Sequence, residues 1–565
     1  MKKRGLKSKL LSILLTGCMV VSLAACSSQS NQKNDSTKKE GTESGTNNKA
    51  DKYEVTLGRM TTANPKLPDG DTYEDNAYTR WAEEVLNIDL KDAFEANGTD
   101  YDTQISLALS SGELPDMMTI RNQAVLEEMV DNDLIADLTE VWNKYASDTL
   151  KEAVDSFDGR ALDRITFDGK IMMLPATDPD PGPTEAWIRS DWLQELGIKV
   201  DADHNHIITL DELKMIAKEF LEKNPGKAQN PVGMAFTPNL TGDDPSSANS
   251  INAITSAFGA YPRTWMNDNG QVSYGSTSEP MKSALSLAAD WFKEGIIDPQ
   301  LGTRTWDDIT SLLTNGQIGI VFGPWHMPDW LLNNVRELDK NATFEAYAIE
   351  DEKGKVNTKH INPVVGGVVV RKGFKHPEIA IQIANMFYDT MKYKPEEVAK
   401  YPEVENYINN AVDGTARPFN IEISSSTSLL DDYADIEKGV KDEIKIEDAR
   451  TVESQNVIKS VKAYLADSAN AATADWARYH SRMKGIGLIK SLTESNTINV
   501  ITPVFPVETA TMKTNMANLN KLEEETFLKI VTGATPVDSG FQDFVSQWNK
   551  QGGEQIIKEI QDQIK

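Results

Sequence analysis

MKSALSLAADWFKEG at residues 281–295 is followed, after a polar stretch, by GQIGIVF at residues 316–322. In the first segment Met281, Ala284, Leu285, Ala288, Trp291 and Phe292 recur at the spacing that lays apolar side chains along one face of a helix. Gly295 stands just past them, where a helix exit favours a residue free to turn left-handed. The second segment is short and rich in branched aliphatic and aromatic residues, as a buried strand is. A core-facing helix alternating with strands indicates an α/β architecture.

The same alternation extends in both directions. Tyr53-Glu54-Val55-Thr56-Leu57 alternates apolar and polar residues and predicts a half-buried strand at the start of the fold. Arg164 to Met173 alternates on both sides of Asp168-Gly169, a hairpin signal. Phe541, Phe544, Val545 and Trp548 predict an amphipathic helix that ends at Gln551-Gly-Gly. About 510 residues follow the start of the fold, enough for two or more domains.

Before the fold lies a different kind of chain. Lys2, Lys3, Arg4, Lys7 and Lys9 precede an apolar run from Leu10 to Val21 that closes on Leu23-Ala24-Ala25-Cys26. This is the pattern of an export signal, and its end resembles the lipobox of bacterial lipoproteins, in which cleavage leaves an N-terminal Cys that is lipidated. Residues 1–25 are thus expected to be a signal peptide and Cys26 the anchor. Residues 26–52 carry almost nothing apolar and cannot offset the entropy of ordering, so they are expected to be a disordered tether. No later segment approaches the ~20 apolar residues of a membrane span.

The only other cysteine of the chain, Cys18, lies inside the signal, which leaves no disulfide pair and no thiolate metal site in the mature protein. Loss of the signal removes five basic residues and no acidic ones, so a formal charge of −28 becomes −33. Such a surface repels nucleic acid and anionic lipid. It weighs less against an anionic ligand, because a local basic cleft can exist on an acidic protein.

Ser110-Ser-Gly-Glu-Leu-Pro-Asp116, Phe167-Asp-Gly-Lys170 with Leu174-Pro175, Ile188-Arg-Ser-Asp-Trp-Leu193 with Leu196-Gly197, and Gly295-Ile-Ile-Asp-Pro299 follow one another along the chain. In that order they resemble the landmarks of family 1 extracellular solute-binding proteins. Glu525-Thr-Phe-Leu-Lys-Ile-Val-Thr-Gly533 is similar to the large lipoprotein branch associated with carbohydrate ABC importers. The resemblance implies a two-lobe periplasmic-binding-protein-like fold (type II), its lobes joined by a multi-strand hinge with the ligand cleft between them. It also implies a sugar ligand, ABC permease subunits as partners, a monomer, and a place on the outer face of the cytoplasmic membrane. The expected division is 53–174 for the first segment of lobe 1, 175–365 for lobe 2, 366–500 for a return mostly to lobe 1, and 501–565 for a C-terminal helical segment packed on the lobes.

A sugar site combines aromatic platforms with polar groups. Tryptophans outside any helical register are the candidates: Trp187, Trp265, Trp306, Trp325 and Trp330, with Tyr261 and with His326 inside Gly323-Pro-Trp-His-Met-Pro-Asp-Trp330. Asp178 and Asp180, in the turn-rich stretch before Trp187, supply hydrogen-bonding groups. Trp192, Trp291 and Trp548 fall on apolar helix faces and are assigned to packing.

Residues 201–212 admit two readings. Asp201, Asp203, Asn205, Ile207 through its carbonyl, Thr209 and Glu212 occupy positions 1, 3, 5, 7, 9 and 12 of an EF-hand calcium loop, with His206 where glycine is usual. Thr209-Leu-Asp-Glu212 is equally a capping box before a helix that buries Leu213, Ile216, Ala217 and Phe220. Calcium, if bound, is structural, and no cofactor is required for function. Related sugar-binding lipoproteins often carry a calcium-loop-like stretch further on; here 223–231 lacks the carboxylates.

Gly366-Gly367 lacks the spacing of a phosphate loop and is read as a strand crossing near the hinge. No nucleophile elbow, HExxH or Walker pattern occurs. The function expected is a non-enzymatic, lipid-anchored binding protein that delivers an oligosaccharide to an ABC permease. The alternatives are a surface polysaccharide-degrading enzyme, which needs two carboxyls across a glycosidic bond, and a component that presents its ligand to a sensor.

Overall fold

The structure, a computed structural model, describes residues 52–62, 67–242, 247–409, 412 and 414–564. The signal peptide, Cys26 and the expected tether up to residue 51 lie outside the described residues. Among the described residues no helix is long and apolar enough to cross a membrane.

Two sheets organise the fold. The first has five strands in the order Ile88–Asn97, Tyr53–Thr61, Met117–Ile120, Val364–Val370, Leu174–Thr177. The first three are parallel, and Val364–Val370 runs antiparallel to both its neighbours. Val55, Leu57, Leu90, Met117 and Val368 form a core with Trp81, Ile381 and Phe387 from the covering helices. Tyr53–Thr61 is the strand that the alternation at 53–57 predicts, with Val55 and Leu57 buried.

The second sheet has four strands, Ile320–Gly323, Glu185–Arg189, Phe344–Ile349 and Ile207–Ile208. Every residue of Glu185–Arg189 is buried, because successive side chains point to opposite faces and both faces are covered. Ala186 and Ile188 enter a core with Phe220, Trp291, Phe544 and Trp548. Trp187 points the other way, among Val321, Phe344, Trp476 and Leu488. Trp291 reaches the core from the helix Glu279–Lys293, which buries Met281, Ala284, Leu285 and Ala288 on the same stripe and is capped by the Ser278 hydroxyl.

The predicted hairpin is present but short. Thr166–Phe167 pairs with Lys170–Ile171 across Asp168 and Gly169, both with positive φ (49° and 74°), while Arg164 and Ile165 end a helix. The helix Val537–Trp548 buries Phe541, Phe544 and Trp548; instead of ending at Gln551-Gly-Gly the chain kinks at Gly552 and continues as the helix Glu554–Gln563.

Each lobe is built from separated segments. Leu174–Thr177 is the edge strand of the first sheet, so the chain leaves that lobe over 178–184. It returns over 350–363 to form Val364–Val370. Gly366 and Gly367 make this close crossing possible: a Cβ on Gly366 would lie 2.4 Å from the Ile120 carbonyl oxygen, and one on Gly367 2.2 Å from that of Leu174. The stretch 424–475 leads away again through helices Ser428–Val440 and Val452–Ala466, whose Ile436, Val457, Ile458 and Val461 form a small core of their own. The expected return of 366–500 to lobe 1 therefore ends early, since Trp476, Leu488 and Leu492 are apolar side chains buried beside Trp187 in the second lobe. The C-terminal helices likewise contribute Phe527, Ile530, Phe544 and Trp548 to that lobe's other core.

On the passage between the lobes Val356–Lys359 pairs in parallel with Ile498–Ile501, while Thr177, at the point where the chain leaves the first lobe, bridges to Ile423 of that lobe's own core. The paired strands Val356–Lys359 and Ile498–Ile501, with the crossings at 178–184 and 350–363, form the multi-strand hinge.

Candidate functional site

A cavity of about 610 Å³ opens where the two lobes and the hinge meet. The first lobe contributes Arg121, Asn122, Gln123 and Arg164; the second contributes Arg263, Thr264 and Trp265. Lys359, His360, Ile361 and Asn362 come from the hinge, and Pro503 to Pro506 close one side.

Local structure explains each position. Arg121 to Gln123 directly follow Met117–Ile120, at the carboxyl end of a parallel strand, where ligands of open α/β sheets bind. Asn122 caps the next helix by accepting the Ala124 N–H, and Gln123 Nε2 donates to the Arg164 carbonyl at 2.9 Å. Arg164 Nη1 donates in turn to the Phe505 carbonyl at 3.0 Å, while the Val504 N–H donates to the Trp265 carbonyl at 2.8 Å. The segment 503–506 therefore touches both lobes.

Trp265 is backed by aromatic rings rather than mobile side chains. Its ring centroid is 4.6 Å from that of Tyr274, and Tyr274 stacks on Trp548 at 4.7 Å and 9°. Preceding it, Arg263 donates to Glu523 (3.2 Å) and Glu524 (2.7 Å) on the helix Ala510–Val531. Glu523 is fully buried and also accepts from Thr241 and Tyr274. Burial pushes its carboxyl up, and the Arg263 guanidinium opposes that shift.

Of the residues proposed from sequence, Trp265 lines this cavity. Trp187 does not serve as a platform, because it is 0% exposed and its indole N–H donates to the Pro324 carbonyl at 3.3 Å. Asp180 is taken up by the hinge: it pairs with His360 Nδ1 at 2.5 Å and accepts the Ile361 N–H at 2.8 Å, directly behind two cavity residues. Asp178 joins the hinge through its backbone N–H, which donates to the Pro363 carbonyl. Tyr261 lines two other cavities, of about 30 and about 1090 Å³, both shared between the second lobe and the hinge strand Val356–Lys359.

The four remaining aromatic candidates come together, but elsewhere. Trp306 stacks on Trp330 (5.1 Å, 11°), His326 lies 6.0 Å from Trp330, and Trp325 meets His326 edge-on at 4.9 Å. Arg482 sits over Trp325 at 5.1 Å and pairs with Asp329. None of the four is among the residues lining the 610 Å³ cavity. Trp306 and Trp330 are also helical, in Trp306–Thr314 and Pro328–Leu332, against the expectation of loops. Burial holds the His326 imidazole below its ordinary pKa, which leaves it neutral at neutral pH.

At residues 201–212 the capping reading describes the structure. Thr209 Oγ1 accepts the Glu212 N–H, and Glu212 Oε2 accepts the Thr209 N–H at 2.9 Å and its hydroxyl at 3.1 Å. Asp201 accepts the N–H groups of Asn205 and His206, and Asn205 accepts that of Ile207. His204 and His206 adopt positive φ (55° and 59°). Among the described residues no three Asp, Glu, His or Cys side chains converge on a metal position. Glu212 Oε1 also accepts the Asp201 N–H at 3.3 Å, so within the set Asp201, Asp203, Asn205, Ile207, Thr209 and Glu212 the first and twelfth positions of the predicted loop face one another while Glu212 caps the helix.

Sequence reasoning missed Arg121, Asn122, Gln123, Arg164, Lys359 and His360. A signal for the first three was present: they stand just beyond the Leu114-Pro115-Asp116 landmark and a short apolar strand.

Comparisons with known proteins agree with this fold. The family model described as bacterial extracellular solute-binding protein matches residues 64–391. Lipoprotein LipO of Bacillus subtilis is 22% identical over 468 residues, covering 81% of this chain and 83% of the relative. The fructooligosaccharide ABC transporter substrate-binding protein FusA of Streptococcus pneumoniae is 23% identical over 415 residues, covering 70% and 69%. Among solved structures, alginate-binding protein AlgQ2, described without its calcium ion, aligns with a TM-score of 0.57 and 17% identity over 91% of this chain and 98% of its own. These likenesses share the two-lobe architecture.

Proposed function

This chain belongs to the bacterial extracellular solute-binding protein family, and from that premise we propose that it captures an oligosaccharide in the cleft between its lobes and hands it to an ABC permease. The cavity of about 610 Å³ carries the proposal, because two lobes and a hinge supply its walls together. A site shared by two lobes lets ligand contacts drive closure, since a ligand favours whichever conformation it touches more extensively. Trp265 is the platform for a sugar ring, and Asn122, Gln123, His360 and Asn362 are its hydrogen-bonding neighbours.

The relatives support the sugar: FusA is named for fructooligosaccharide and AlgQ2 for alginate. In this proposal the protein is a carrier and not an enzyme, lipidated at Cys26 and held outside the cytoplasmic membrane.

The test is a thermal-shift screen of the soluble domain from Asp51 against plant and mucin oligosaccharides. A ligand at a hundredfold excess over its Kd stabilises the folded state by about 2.7 kcal/mol, so a cognate sugar raises the melting temperature visibly. New reducing ends that disappear on Glu508→Gln, which removes a carboxylate lining the cavity, would instead establish turnover and refute the carrier. Cys26→Ser should abolish labelling by a palmitate analogue; equal labelling of both forms would refute the anchor.

A further inference from the structure

The wall of the cleft runs against the composition of the chain. In a protein of formal charge −28, the cavity is lined by Arg121, Arg164, Arg263 and Lys359, with Glu508 as the opposing carboxylate. Two of these cations are matched from behind: Arg263 by Glu523 and Glu524, and Arg121 by Asp102 at 3.1 Å. Lys359 Nζ donates to the Thr264 hydroxyl at 2.7 Å.

Arg164 is the exception. It enters no ion pair among the described residues, its Nη1 is used on the neutral Phe505 carbonyl, and its Nε is buried without a hydrogen-bond partner. Burial lowers its pKa, and the nearest compensating charge, Glu127, acts only through space. A guanidinium held this way costs desolvation that its surroundings do not return. Its planar fork suits the two oxygens of a carboxylate.

Resting on the carrier reading above, we propose that the ligand of this cleft is an acidic oligosaccharide, whose carboxylate or sulfate oxygens are held by Arg164 beside Lys359 and Arg121. The anion supplies the charge that Arg164 lacks, while Trp265 stacks on a sugar ring. The negative outer surface slows the approach of such a ligand, so the discrimination resides in the cleft and not in long-range steering.

The experiment uses matched pairs of probes. Trigalacturonate is compared with its full methyl ester, and a sulfated galactan oligosaccharide with the same oligosaccharide after desulfation, by thermal shift and calorimetry on the soluble domain. The acidic member of at least one pair should bind at least about tenfold more tightly than its neutral partner, with affinity falling as salt is added. Which pair responds distinguishes carboxylate from sulfate. Arg164→Gln should weaken the acidic probe by about tenfold or more, and Arg164→Lys should restore part of the loss. Lys359→Gln provides the same readout if the Arg164 variants do not fold. A neutral member that binds as tightly as its acid overturns the inference and leaves the carrier reading intact. No binding by either member of both pairs also overturns it, and the carrier reading is then decided by the neutral plant and mucin sugars.

Discussion

Glu523 Oε1 accepts the Arg263 Nε–H at 3.2 Å with the carboxylate fully shielded from solvent, so a helix near the C-terminus fixes the segment that carries Trp265. Removing one partner of a buried pair strands the other's charge, which costs about 3–5 kcal/mol. Glu523→Ala should lose about that much stability in a denaturant titration followed by tryptophan fluorescence. Glu523→Gln, which keeps an acceptor, should lose less. A loss below about 1 kcal/mol for the alanine variant would show that Glu524 alone suffices.

Glu185 sits opposite Gly323 in the second sheet, fully buried, with neither carboxylate oxygen partnered. Burial raises its pKa well above the ordinary 4.5. The folded state therefore holds this proton more tightly than the unfolded state does. Its contribution to stability is fully present below about pH 4.5 and is lost as pH rises through the folded-state pKa. Glu185→Gln removes that titration. The melting temperature of the variant relative to wild type should rise as pH increases from about 4.5 toward the raised folded-state pKa; a difference independent of pH would refute the assignment.

The reciprocal cap of Thr209 and Glu212 predicts that Glu212→Ala costs about 1 kcal/mol. The cost should be the same in chelator and in millimolar calcium. A melting temperature of the wild type that rises with calcium, and fails to rise in the variant, would restore the metal reading of residues 201–212.

Trp187 serves packing alone, whereas Trp265, a core residue packed on Tyr274 that also lines the cleft, serves packing and binding together. Trp187→Ala opens a cavity in a packed core and should cost about 3–5 kcal/mol of stability, with ligand affinity of the folded fraction little changed. Trp265→Ala should lower affinity for the cognate ligand by about thirtyfold, or about 2 kcal/mol, as a binding hot spot does. Calorimetry beside denaturant titration reads both; Trp265→Ala binding as wild type would place the site elsewhere.

The elements legible in the sequence were those whose information is local. The stripe of Met281, Ala284, Leu285, Ala288 and Trp291 gave its helix, and Asp168-Gly169 gave its turn. Trp187 shows where locality ends. Its neighbourhood looked like a loop because Thr177 to Pro183 is rich in turn residues, yet it lies on a strand covered on both faces by segments distant in sequence. The cleft was less legible still. Arg164, Lys359 and Phe505 meet only because three hinge passages bring them together, and no spacing along the chain records that. Capping and calcium-loop geometry share residues at 201–212, so the sequence pattern alone does not separate them.

The place of Val364–Val370 between Met117–Ile120 and Leu174–Thr177 constrains how the molecule can come into being. A chain emerging from its N-terminus has four strands of the first sheet in hand once Thr177 appears, but a gap lies in the middle of them. The filling strand arrives only after the whole second sheet has been made. Contacts so distant in sequence form late and slowly, and until then the flanks of the gap expose unpaired backbone. Truncation before Val370 should therefore yield no half-molecule able to fold alone. The N-terminal lobe is completed by a strand that arrives after its partner's sheet but before the C-terminal helices that finish its partner's core.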